Sequence, residues 1–172
     1  MNPLKWFWQG LTTPMLRDGE AIPDKFSLRA EQALALARNE ADRRNANFVG
    51  TEHLLLGIIG VTDTAATALL KMDIDPATVR DVIEKSTGTG PYKTMPADRY
   101  TPRVETVLRL AAKEAGKLRQ NYIGTEHILL GLLAEEDNVA ARILRNLNVD
   151  LATTRTTLKR LYAALPSTNV KS

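Results

Sequence analysis

The chain has 172 residues, 44% of them hydrophobic, 25% charged and 5% aromatic, with ten glycines, eight prolines and no cysteine. The composition is that of a globular protein able to bury a core without staples, and the missing cysteine excludes disulfide frameworks, thiolate zinc sites and thiol catalysis. Two histidines leave little room for a metal site, and a formal charge of +3 is too small to argue nucleic acid.

Residues 1–25 form an N-terminal extension broken by Pro3, Gly10, Pro14, Gly19 and Pro23. Its apolar stretch is too short for a signal peptide, and nowhere does the chain approach the roughly 18 apolar residues of a membrane span, so no membrane partner and a cytoplasmic location are expected. Trp6, Phe7 and Trp8 gather three of the aromatics in this extension. They are either a docking element for the body or a partner, or an incidental tail.

From residue 26 the pattern turns helical. Ser27 fits an N-cap, and Ala30, Ala33, Leu34, Ala37 and Ala41 draw one apolar stripe at helical spacing. A second helix is expected from Thr51 as cap, a third from Asp63 and a fourth from Asp75. Residues 88–99, with two glycines and two prolines, read as a connector. The pattern then starts again. Asn47-Phe48-Val49-Gly50-Thr51-Glu52-His53-Leu54-Leu55-Leu56-Gly57 returns 74 positions later as Asn121-Tyr122-Ile123-Gly124-Thr125-Glu126-His127-Ile128-Leu129-Leu130-Gly131. Thr101 with Pro102 opens the second copy, whose stripe is Val104, Val107, Leu108, Ala111 and Ala115, and Thr125, Asp137 and Asp150 fit the later caps. A one-residue slip after the Ala66–Ala140 pair aligns Asp75 with Asp150. Glycines 57, 60, 88, 90 and 131 fall at or near expected helix ends, where 57 and 131 serve either as stops or as close-packing points. Strand-like alternation is missing. The expectation is an all-α fold of eight short helices in two pseudo-twofold-related four-helix repeats: residues 26–87, the connector 88–99, residues 100–164, and a polar tail 165–172.

The paired Gly-Thr-Glu-His-(Leu/Ile)-Leu-Leu-Gly motifs, each preceded by a Ser- or Thr-capped helix, resemble the Clp N-terminal repeat domain over residues 26–164. That resemblance implies an eight-helix bundle that recruits substrates and adaptors to an ATPase ring. The large members of the family carry a phosphate-binding Gly-rich loop. Here the nearest imitation, Gly88-Thr89-Gly90-Pro91-Tyr92-Lys93-Thr94, has Tyr92 where that loop needs glycine. A free-standing copy of the recruiting domain is therefore expected, neither ATPase nor protease and without a cofactor. Its expected partners are Clp ATPase or Clp protease subunits, or arginine-phosphorylated or unfolded protein substrates.

Helix starts attract anions, and each copy supplies two. Arg29 and Arg103 lie two residues past the Ser27 and Thr101 caps, while Glu52 and Glu126 follow Thr51 and Thr125, where a carboxylate stays ionised. An anion pocket beside a carboxylate is complementary to phosphoarginine. The resemblance implies Ser27 and Glu52 in one such site, Thr101 and Glu126 in the other, and helix geometry adds Arg29 and Arg103. Thr-Glu at a helix start is also ordinary capping, and an arginine there is ordinarily solvated. His53 and His127 stand one per copy with no further ligand at a fixed offset, which points to a structural tie on the first turn rather than a metal. The leucine runs read as core, and Glu135-Glu136-Asp137 as a solvated corner.

Overall fold

A computed structural model describes residues 25–165, apart from 94 and 98. Eight α-helices and two isolated β-bridges make up the regular structure of the described residues. In the first copy these are α1 (Leu28–Arg43), α2 (Thr51–Ile59), α3 (Thr64–Lys71) and α4 (Pro76–Ser86). In the second they are α5 (Pro102–Lys117), α6 (Thr125–Ala134), α7 (Val139–Asn146) and α8 (Leu151–Ala164).

Both expected stripes face the core, and Ser27, Thr101, Asp75 and Asp150 cap their helices by accepting backbone N–H bonds. Each first pair of helices is an antiparallel hairpin. Gly57 meets Ala33 and Ala37 of α1, and Gly131 meets Val107 and Ala111 of α5, so closely that a Cβ at either would overlap a backbone carbonyl. These two glycines are therefore packing points inside α2 and α6, not stops. The actual stops of α1, α3, α5 and α7 pass through left-handed Asn45, Asp73, Arg119 and Asn148. Asparagine and aspartate tolerate that region, which removes the need for glycine at three of them.

The leucine runs of α2 and α6 occupy the centre. Leu54, Leu55, Leu56, Ile128, Leu129 and Leu130 are fully buried, each worth about 1.5–3 kcal/mol of transfer free energy. The helices around them interleave between copies. α3 packs on α6 and α7 on α2, while α8 touches both α6 and α3, and α4 both α2 and α7.

Three of the expected caps fall elsewhere. Gly50 and Gly124 are the N-caps of α2 and α6, so Thr51 and Thr125 are the first helical residues. Their hydroxyls cross to the other copy instead. Thr125 Oγ1 accepts the Ala65 N–H at the start of α3 and donates to Asp63 Oδ2 at 2.8 Å, and Thr51 Oγ1 accepts the Ala140 N–H at the start of α7. The cap of α7 is Asn138 rather than Asp137. α6 is one residue longer than α2, while the corners after them are equal, so the slip lies before α7, pairing Ala65 with Ala140.

Backbone bridges tie the copies as well. Phe26 pairs with Ile123 and Val49 with Tyr100. The connector is pinned across the α1–α2 turn. Gly90 N donates to the Arg44 carbonyl, Lys93 donates to Asp42 at 2.8 Å and to the Ala46 carbonyl, and Ala97 N donates to Asp42 at 2.6 Å.

If Gly131 marks a true close approach, Gly131→Ala must push α5 away despite alanine's better helix propensity. We expect a loss of about 1–3 kcal/mol in urea unfolding, and no loss for Gly88→Ala, whose Cβ would meet nothing within 4 Å. Equal midpoints for both variants would contradict the packing described.

Candidate functional site

Each residue of Gly-Thr-Glu-His has its own task at the head of α2 and α6. The Gly50 N–H donates to His53 Nδ1 at 3.0 Å and the Gly124 N–H to His127 Nδ1 at 2.8 Å, so the histidine at the third helical position closes a capping box. The accepting nitrogen requires an unprotonated ring. Burial pushes the His127 imidazole down to about 4, with the Glu114 charge acting in the opposite sense, and burial lowers His53 too. The glutamate folds back over the glycine: a Cβ on Gly50 would stand 2.6 Å from Glu52 Oε2, and one on Gly124 would fall inside the Glu126 carboxylate. A side chain at either glycine would displace the glutamate from this position.

The hairpins decide which groups meet. Because α1 and α2 run antiparallel, Ser27 and the head of α2 lie at opposite ends of the 16-residue α1, about 24 Å long at 1.5 Å per residue. Ser27 and Glu52 of one copy therefore do not share a pocket, nor do Thr101 and Glu126. The bridges make crossed pairs instead. Ser27 N donates to the Ile123 carbonyl beside the head of α6, which carries Glu126, and Thr101 N donates to the Val49 carbonyl beside the head of α2, which carries Glu52.

The two crossed sites differ. Glu126 is only 2% exposed, and the Tyr162 hydroxyl in the last turn of α8 donates to its Oε1 at 2.6 Å. Burial pushes the Glu126 carboxyl up, with the Asp63 charge adding to it, against the expectation that it stays ionised at a helix start. Burial raises the Tyr162 phenol as well, with the Glu126 charge second. At Glu52 no hydroxyl among the described residues gives such cover. α8 has 14 residues and α4 has 11, and the residue in register with Tyr162 is Thr87, just past α4, where it bonds Arg44 and the Ile83 carbonyl. The Glu52 side chain keeps 22% of its surface in solvent. Phe48, in register with Tyr122, is 51% exposed.

The two arginines also diverge. Arg103 pairs with Glu135 at 2.9 Å and Asp137 at 3.5 Å, so Glu135 belongs to a part-buried ion pair while Asp137 remains solvated. Arg29 bonds only Gln32, at 3.1 Å, among the described residues. Trp6, Phe7 and Trp8 lie outside the described residues. No group of three or more His, Asp or Glu among the described residues is arranged to hold a metal, and no single described helix is long and apolar enough to cross a membrane. Sequence reasoning missed Tyr162, Tyr122 and Asp63 as neighbours of Glu126. The three-residue excess of α8 over α4, visible once the copies are aligned with the slip, was the available signal.

The Clp repeat (R) N-terminal domain family model matches residues 25–147 and again 99–172. An ATP-dependent Clp protease ATP-binding subunit ClpA homolog of Guillardia theta is 45% identical over 139 residues, which are 80% of this chain and 17% of that protein. The chain thus spans about a sixth of the length of such relatives. The N-terminal domain of the chaperone ClpD from Arabidopsis thaliana superposes with a TM-score of 0.64 at 23% identity, over 81% of this chain and 96% of that one. A ClpV N-domain in complex with a VipB peptide superposes at 0.64 and 21%, over 81% and 86%.

Two measurements check the site. Tyr162→Phe strands a buried carboxylate and is expected to cost about 1–3 kcal/mol in equilibrium unfolding, whereas Glu126→Gln keeps an acceptor for the phenol and stays near wild type; equal losses would contradict the contact. For His127, folding favours the neutral ring, so its contribution is complete above the ordinary value of 6.5 and is lost as pH falls towards about 4. The expected loss is up to about 3 kcal/mol over that window. His127→Gln keeps the capping acceptor and should flatten that limb of the stability profile; an unaltered limb would refute the assignment.

Proposed function

Since the chain belongs to the Clp repeat (R) N-terminal domain family, we propose that it is a non-catalytic interaction module of the Clp unfoldase and protease systems, an adaptor or accessory subunit that binds Clp subunits or their substrates. The ClpV N-domain seen with a VipB peptide supports a peptide-binding use of the shared fold. Pull-down from native lysate with the full chain should recover Clp subunits or their substrates, and recovery of neither would count against this reading.

A second reading, a phosphoarginine reader acting as adaptor or decoy, is favoured by one observation: the part-exposed Glu52 carboxylate beside the Thr101-capped start of α5. A guanidinium suits the carboxylate, and a phosphate suits the helix start. Ser27 and Glu126 form the corresponding crossed pair, closed by Tyr162. Calorimetric titration of free phosphoarginine is expected to give close to one site per chain, lost in Glu52→Ala and retained in Glu126→Gln. Binding that is insensitive to Glu52, or absent from wild type, would dismiss this reading and leave the first standing.

A further inference from the structure

The strongest unassigned feature lies at the other end of α1 from Glu52, in the corner where the copies differ most. In the second copy this corner is complete: Glu135, just past α6, reaches back to Arg103 on α5. In the first copy Arg29 stands in register with Arg103, and Val61 stands in register with Glu135. A valine ends short of where a glutamate places its carboxylate, and the one acid of this corner, Asp63, is bound to the Thr125 hydroxyl of the other copy. What remains is a groove of about 630 Å³, walled by Arg29, Gln32 and Leu36 of α1 and by Gly60, Val61 and Thr62. Beside Arg29 in the chain, Leu28 is 70% exposed.

We propose that this groove docks an acidic segment of another protein, a short apolar stretch followed by Glu or Asp, which sets a carboxylate on Arg29 as Glu135 sets one on Arg103. Three observations meet here. The cation has no carboxylate partner among the described residues. The cavity has the apolar floor of Leu36 and Val61 that a Leu or Ala side chain needs. The second copy displays the charged half of the occupant chemistry on an equivalent frame: Ile59-Gly60 and Leu133-Ala134 correspond, and only the second copy follows them with an acid, Glu135, that reaches its arginine. An arginine at the second position of a helix also lies where the macrodipole favours an incoming anion. The two faces are independent, because Glu52 lies beside the far end of α1.

The test uses the full chain and a fluorescein-labelled peptide, Leu-Ala-Glu-Glu-Asp-Asn, copied from residues 133–138, followed by fluorescence anisotropy at low salt. Saturable binding is expected, weakening as salt rises. Arg29→Gln should weaken it roughly fivefold, the scale of a part-exposed charge-assisted contact, while Arg103→Gln and Glu52→Ala leave it unchanged. A Leu-Ala-Gln-Gln-Asn-Asn peptide should bind as weakly as the acidic peptide binds the Arg29 variant. Equal affinity for both peptides, an Arg29→Gln chain that binds as wild type, or no binding at millimolar acidic peptide would each overturn the proposal. None of these results bears on whether Clp subunits are recovered from lysate, so the two readings fail separately.

Discussion

Two threonine hydroxyls govern how the halves of this molecule relate. Thr51 opens α2 in one copy and accepts the Ala140 N–H at the head of α7 in the other, and Thr125 opens α6 and does the same for Ala65 at the head of α3. A helix start buried without partners is costly, and here each copy meets the need of the other. The exchange fixes α3 against α6 and α7 against α2, and with them the positions of α4 and α8. The β-bridges at Phe26–Ile123 and Val49–Tyr100 follow the same crossed logic on the outside. Both crossed carboxylate sites therefore join residues from the two copies, whereas the Arg29 groove is walled by the first copy alone.

Within that shared frame the two halves have drifted apart in character. Repeated ion clusters still hold the outer helices: Glu40 takes Arg43 and Arg80, and Glu114 takes Lys117 and Arg155. Burial resists ionisation of Glu114, and the hydrogen bonds from Arg155 and Lys117 more than offset it, holding the carboxyl below its ordinary range. The heads and corners are another matter. The second copy satisfies its own charged groups, Glu126 by Tyr162 and Arg103 by Glu135, whereas the first leaves Glu52 and Arg29 at the surface. The chain is thus a closed half fused to an open one.

The sequence displays what local chemistry decides. Ser27, Thr101, Asp75 and Asp150 read correctly as caps because a hydroxyl or carboxylate two or three residues from its N–H partner is a matter of neighbours. The apolar stripes of α1 and α5 read correctly for the same reason. Thr51 and Thr125 misled because their partners, Ala140 and Ala65, are distant along the chain and exist only after the copies interlock. The supposed pocket of Ser27 with Glu52 failed on direction: two helix starts in one repeat do not adjoin when the helices form a hairpin. Glu126 read as an ionised site residue because its cover, Tyr162, comes from a helix end whose three extra residues matter only once α8 lies on α6.

The reciprocal capping has a consequence for how such a molecule arises. The first repeat alone would leave the head of α3 without a side-chain acceptor, since Asp63 accepts no backbone N–H there while Asn138 does at α7, and two such units about a twofold axis would complete each other isologously. The pinned connector welds such a homodimer into one polypeptide. Once welded, the axis no longer binds the two halves to identical mutations, and a tyrosine on one side need not have a twin on the other.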